Sequence, residues 1–132
     1  MADISAPDML AQPTDVSGNH GRLDAWLVKL GTNGVIQWHK CFGGTDEDTF
    51  SSVQQTDDGG YIAAGYTHSN DGDVLGNHGY QDAWVVKMDA LGNLQWQKCL
   101  GGSDYDEAYQ IQETSDGGYI LAGYTYSNDG DV

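Results

Sequence analysis

Hydrophobic residues appear along the chain in short bursts, the longest of four or five, between clusters of Gly, Asp, Asn and Ser. Inside the bursts the pattern alternates. In Leu94–Leu100, Leu94, Trp96, Lys98 and Leu100 share one face and Gln95, Gln97 and Cys99 the other, which is the period of a half-buried strand. The Trp face is the side expected to pack on a neighbouring sheet, with the Lys98 ammonium reaching the edge. Trp84, Val86 and Met88 form a similar face one burst earlier. No window sustains apolar residues at i, i+3, i+4 and i+7, so helix is not expected. The chain reads as all-β with tight turns.

Sliding the chain against itself accounts for the regularity. Val16–Asp73 and Val74–Asp131 align without a gap, about 35 of the 58 positions being identical, and such internal periods define repeat architectures. VIQWHKCFGGTDED answers NLQWQKCLGGSDYD, and TDDGGYIAAGYTHSNDGD answers TSDGGYILAGYTYSNDGD. The chain therefore divides into a leader at 1–14, expected to be disordered, a first repeat at 15–73 and a second at 74–132. Each repeat holds four expected strands, in the second copy Asp82–Met88, Leu94–Leu100, Ala108–Thr114 and Tyr119–Tyr126. Asn33-Gly34 is a strong hairpin turn because both residues tolerate positive φ. Four antiparallel strands in one repeat of this length suit a β-propeller blade.

The segments DAWVVKMDALGNLQWQKCLGG and DGGYILAGYTYSNDGD resemble the short repeats found in tandem in secreted and surface-associated bacterial and archaeal β-propeller proteins. Asp89…Gly92…Trp96 is similar to the tryptophan-docking motif of quinoprotein-type blades, while the first copy has Gly31 where Asp89 stands. The resemblance implies blade architecture and an extracellular or cell-surface setting. It does not bring the quinone cofactor with it, because two blades cannot supply that site.

The phase of the repeat carries a further expectation. With A naming the strand after the Gly-Gly-acidic loop, the chain runs C-D, A-B-C-D, A-B: one complete blade at Gly43–Gly101 between two complementary halves. Open strand edges are an association hazard. The complete blade lies between the halves, so they are expected to meet between chains. Such a contact is head-to-tail and gives a ring if the rotation closes. The expected fold is an all-β propeller of four-stranded antiparallel blades, two per chain, closed by homo-oligomerisation. A trimer or a tetramer falls within the usual ~4–8 blades. The alternative is an excised or designed portion of a longer repeat protein.

Charge narrows the partners. The 132 residues include 5 Lys+Arg against 20 Asp+Glu, a net charge of -15. Phosphate backbones repel such a surface, which argues against nucleic acid. No apolar run approaches the ~20 residues of a membrane span, so membrane insertion is not expected. The leader has neither the basic start nor the apolar centre of a signal peptide.

Candidate chemistry sits in the loops. Asp71, Asp73, Asn77 and Asp82 alternate with glycines in one long loop, and a Ca²⁺ ion takes 6–8 such oxygens; the same residues also make Asx turns. Asp46-Glu47-Asp48 and Asp104-Tyr105-Asp106-Glu107 would form a negative rim that attracts cations or a basic protein. Cys41 and Cys99 occupy equivalent positions on adjacent repeats, where their Cα atoms should lie beyond the ~7 Å disulfide limit. His20 and His78 recur in a GNHG loop and are expected to hydrogen-bond a loop carbonyl. Trp26, Trp38, Trp84 and Trp96 are expected between blades. Tyr66, Tyr80, Tyr105, Tyr124 and Tyr126 are candidates for stacking on sugars. No nucleophile elbow, phosphate loop or HExxH zinc motif occurs, and near-identical copies do not supply the single asymmetric constellation that catalysis usually needs. The expected function is a non-catalytic, self-assembling scaffold, with a multivalent lectin-like protein as the alternative.

Overall fold

The computed structural model describes residues 18–132, and the leader assigned to 1–14 lies outside them. Eight strands follow one another: β1 (Ala25–Leu30), β2 (Ile36–Phe42), β3 (Asp48–Gln55), β4 (Tyr61–Thr67), β5 (Asp82–Met88), β6 (Leu94–Leu100), β7 (Asp106–Glu113) and β8 (Tyr119–Thr125). All the ladders between them are antiparallel, and no described residue is helical. β7 starts two residues before the alternating pattern does. Its first residue, Asp106, is buried, and its N–H donates to the Gln81 carbonyl at 2.8 Å.

The strands form three sheets: β1-β2, β3-β4-β5-β6 and β7-β8. The four-stranded sheet crosses the repeat boundary, taking two strands from each copy. One face packs on the first sheet, where Ala25 and Phe42 meet Ala63, Trp84, Val86 and Met88. The other face carries Ile62, Ala64, Ala83 and Val85 against Ala108, Ile111 and Leu121 of the third sheet. The two-stranded sheets therefore lie on opposite sides of the complete one.

Glycine makes the middle of this stack possible. In register, Phe50 faces Gly65 and Gly65 faces Trp84. With no side chain between them, the Phe50 and Trp84 rings stack at 5.6 Å and 20° across strand β4. A Cβ at Gly65 would run into the Thr49 carbonyl. Trp38 reaches from the first sheet to Tyr61 of the second, 5.8 Å between centroids, and lies over Gly92 of the β5–β6 turn. Gly65→Ala should therefore destabilise the chain by about 1–3 kcal/mol, the usual cost of overpacking, read as a lower urea midpoint at unchanged slope.

Candidate functional site

Strands β4 and β5 pair along their whole length, from Tyr61 opposite Met88 to Thr67 opposite Asp82. Their counterparts in the other copies are β8 and β1, and neither has a second neighbour among the described residues. The same sequence consequently meets two environments. Ile62 is 0% exposed and its counterpart Ile120 63%; Trp84 is 0% exposed and its counterpart Trp26 52%. Beside the open edge of β8, a cleft of about 390 Å³ runs between the second and third sheets, lined by Ala83, Leu100, Leu121 and Gly123. These residues correspond by the repeat to Ala25, Phe42, Ala63 and Gly65, which surround Trp84. The cleft is the counterpart of a tryptophan pocket.

At the loop end, buried carboxylates organise the backbone. Asp48 Oδ1 accepts the Thr67 hydroxyl at 2.5 Å, and its Oδ2 accepts the Gly44 N–H and the Ser69 hydroxyl, both at 3.0 Å. Asp106 repeats the arrangement with Thr125, Gly102 and Ser127. Burial pushes the Asp48 carboxyl up, while its hydrogen bonds pull it down by a smaller amount. Thr67 and Ser69 were not among the residues singled out from sequence; the only trace of their role is that both recur in the two copies.

Of the residues proposed for calcium, Asp71, Asp73 and Asn77 lie in this same loop and Asp82 opens β5, and each already accepts a hydrogen bond within the chain. Asp71 accepts the Thr45 N–H and hydroxyl at 2.9 and 2.8 Å, and Asp73 accepts the Gly43 N–H at 3.1 Å. Asn77 accepts the Gly79 N–H and donates to the Ser69 carbonyl. Asp82 Oδ2 receives the His78 N–H at 3.0 Å and stands 2.6 Å from His78 Nδ1, while the buried Oδ1 has no partner. Among the described residues, no group of three or more His, Cys, Asp and Glu side chains is placed to hold a metal ion. His20 and His78 meet carboxylates rather than the loop carbonyls expected. Each has one ring nitrogen on the aspartate four residues on, Asp24 or Asp82, and the other 3.7 or 3.6 Å from Asp73 or Asp131.

Six of the tyrosines and His68 form a continuous row. Centroid steps of 5.4, 5.4, 4.7, 6.4, 5.5 and 5.7 Å connect Tyr66, His68, Tyr80, Tyr105, Tyr126, Tyr124 and Tyr109. Glu107 borders it, accepting the Tyr124 hydroxyl at 3.2 Å. The four tryptophans fall into different settings. Trp38 and Trp96 touch tyrosines of the following sheet, Trp84 is enclosed, and Trp26 stands half-exposed beside His39. Cys41 and Cys99 are both free thiols. No family model and no curated protein matches the chain.

The histidine contacts fix a pH dependence. The Asp82 hydrogen bond holds the His78 imidazole above its ordinary 6.5, and Asp24 does the same for His20. A histidine raised on folding stabilises fully below its unfolded value and loses that contribution as pH rises through the folded one. Burial raises the Asp48 and Asp82 carboxyls, so they too favour the folded state as pH falls. The urea midpoint should be higher at pH 5.5 than at pH 8. The variant carrying His20→Gln and His78→Gln should lose most of that difference.

Proposed function

We propose that the chain is a non-catalytic β-propeller subunit that assembles head to tail. Strand β8 of one copy pairs with β1 of the next to complete a four-stranded blade, and the ring so closed serves as a structural or binding scaffold. The observation that carries this reading is the double fate of one sequence, buried as β4 and β5 and open as β8 and β1. The β4–β5 register supplies the template: Gly123 opposite Trp26, Ile120 opposite Lys29 and Tyr119 opposite Leu30 of the next copy. Trp26 then fills the cleft above Gly123, and Trp96 covers the next copy's Gly34, over which there is open space, as Trp38 covers Gly92.

Magnitudes require the joint to act as a whole. Burying one large apolar side chain contributes about 1.5–3 kcal/mol, whereas association costs at least about 4 kcal/mol in lost freedom. Trp26, Leu30, Ile120 and Trp96, all at least 42% exposed, must be covered together with the backbone ladder. With eight strands among the described residues of each chain, a trimer makes six four-stranded blades and a tetramer eight.

Native mass spectrometry should show a discrete trimer or tetramer, unchanged by a calcium chelator because Asp71, Asp73 and Asn77 already bond loop N–H groups. Deletion from Ser103 onward should abolish it, whereas removal of residues 1–13 should not. Assembly should also protect Cys41 from alkylation. Its counterpart Cys99 is buried and pushed up to about 12, whereas Cys41 is only partly covered in the single chain. A monomer at all concentrations overturns the reading.

The aromatic row favours a second reading, a multivalent carbohydrate binder. Tyr80, Tyr109 and Tyr126 are exposed, and Glu107, which accepts the Tyr124 hydroxyl, borders the row as an acceptor for sugar hydroxyls. A glycan ligand should then titrate to one or two sites per subunit, with binding lost in Tyr80→Ala and Tyr105→Ala. Absence of saturable binding across a glycan array removes this reading and leaves the scaffold.

A further inference from the structure

Strand β5 carries, next to its last residue, a buried lysine that an apolar interior should not tolerate alone. Lys87 is 3% exposed. Its ammonium donates to the Met88 carbonyl and Gln95 Oε1, each at 3.0 Å, and to both oxygens of Asp58 at 3.0 and 3.3 Å. Asp58 sits in the β3–β4 turn, held by the Thr56 hydroxyl at 2.5 Å and the Gly60 N–H at 2.9 Å.

Each half of this arrangement recurs alone at an open edge. Lys29 in β1 already donates to the Leu30 carbonyl at 2.9 Å and Gln37 Oε1 at 3.0 Å, the counterparts of Met88 and Gln95. No described carboxylate pairs with it. Asp116 in the β7–β8 turn is held by the Thr114 hydroxyl at 2.5 Å and the Gly118 N–H at 3.0 Å, the counterparts of Thr56 and Gly60. No described cation pairs with Asp116 either. Two of the lysine's three partners are in place on one edge, and the waiting carboxylate is on the other.

We infer that Lys29 of one copy and Asp116 of the next form the ion pair that selects the partner edge and fixes its register. The inference rests on the head-to-tail reading above. A free strand edge invites indiscriminate pairing, and an inward-pointing lysine discourages it. Covering Lys29 with a strand that brings no carboxylate would bury an unpaired charge. Sliding the β8 edge by one residue would carry Asp116 away and turn every side chain to the opposite face. Attraction to the right edge and penalty for the wrong one then reside in the same ammonium.

The test is a charge swap in the full chain, read by sedimentation over a concentration series. Lys29→Glu and Asp116→Lys each place like charges at every joint. Each should weaken assembly about 10- to 30-fold. That is less than a fully buried pair would give, because the aspartate of the Lys87–Asp58 template is 59% exposed and solvent screens part of the attraction. Because every joint takes one residue from each copy, the chain carrying both substitutions restores opposite charges throughout. It should recover assembly to within about 3-fold of the parent. Both sites face solvent or lie partly open in the single chain, so circular dichroism of each variant should match the parent. If the parent assembles and the single variants assemble equally well, the ion pair is wrong and the head-to-tail reading stands. If the parent is a monomer, the head-to-tail reading itself fails.

Discussion

The ladder between β4 and β5 is the constraint on which the rest of the structure depends. Among the described strands it is the one pairing that links a strand of the first repeat to a strand of the second. Its register places Trp84 opposite Gly65, which lets the indole reach Phe50 two strands away. It also sets Lys87 beside the turn that holds Asp58. A slip of one residue would put Trp84 and Val86 on the wrong face and leave Lys87 unpaired in the interior. The two faces of the sheet, and so the seats of both flanking sheets, follow from this single alignment.

The acidic composition has a structural use. Gly-Gly loops leave backbone N–H groups without strand partners, and buried donors must be satisfied. Ionised carboxylates accept several donors at once and make stronger bonds than neutral acceptors. Asp48 and Asp106 each accept three donors inside the fold, while at the surface Asp71 accepts two and Asp73, Asp129 and Asp131 each take one loop N–H. Glycine is the necessary complement, since a Cβ at Gly44 or Gly102 would collide with Asp71 or Asp129. Much of the charge of -15 thus has a local role in shaping loops as well as a long-range one in repelling anions.

Strand positions were legible because alternation and turn residues are local signals, and the repeat supplied each signal twice. The C-D, A-B-C-D, A-B phase could be read for the same reason, and the observed sheet order follows it. The loop chemistry was harder to read. Asp71 and Asp73 have the composition of metal ligands, but which donor reaches a carboxylate depends on loops 26 and 30 residues away in sequence. Trp26 and Trp84 are equivalent in sequence, yet their exposure, 52% and 0%, depends on whether a neighbouring strand is present. Lys87 and Asp58 lie 29 residues apart and belong to different repeats, so neither motif nor spacing reveals them.

The two copies have also diverged, and the differences bear on the proposed joint. Phe50, which stacks on Trp84, is replaced by Ala108. Trp26 of an incoming copy would therefore meet Gly123 and the cleft wall without an aromatic partner. On the rim, Arg22 stands where Tyr80 stands in the second copy, so the His68–Tyr80 contact at 5.4 Å beside the β4–β5 ladder would have no aromatic pair at the joint. The joint between chains would thus pack less aromatic surface than the matching ladder within one chain. Directional groups, the backbone ladder and the lysine–aspartate pair, would have to supply a larger share of its strength. Such a joint favours folding of the complete sheet first and assembly second: the three-layered chain already buries Trp84, Ile62 and Met88 without a partner, and the edges offer only what a matching copy can complete.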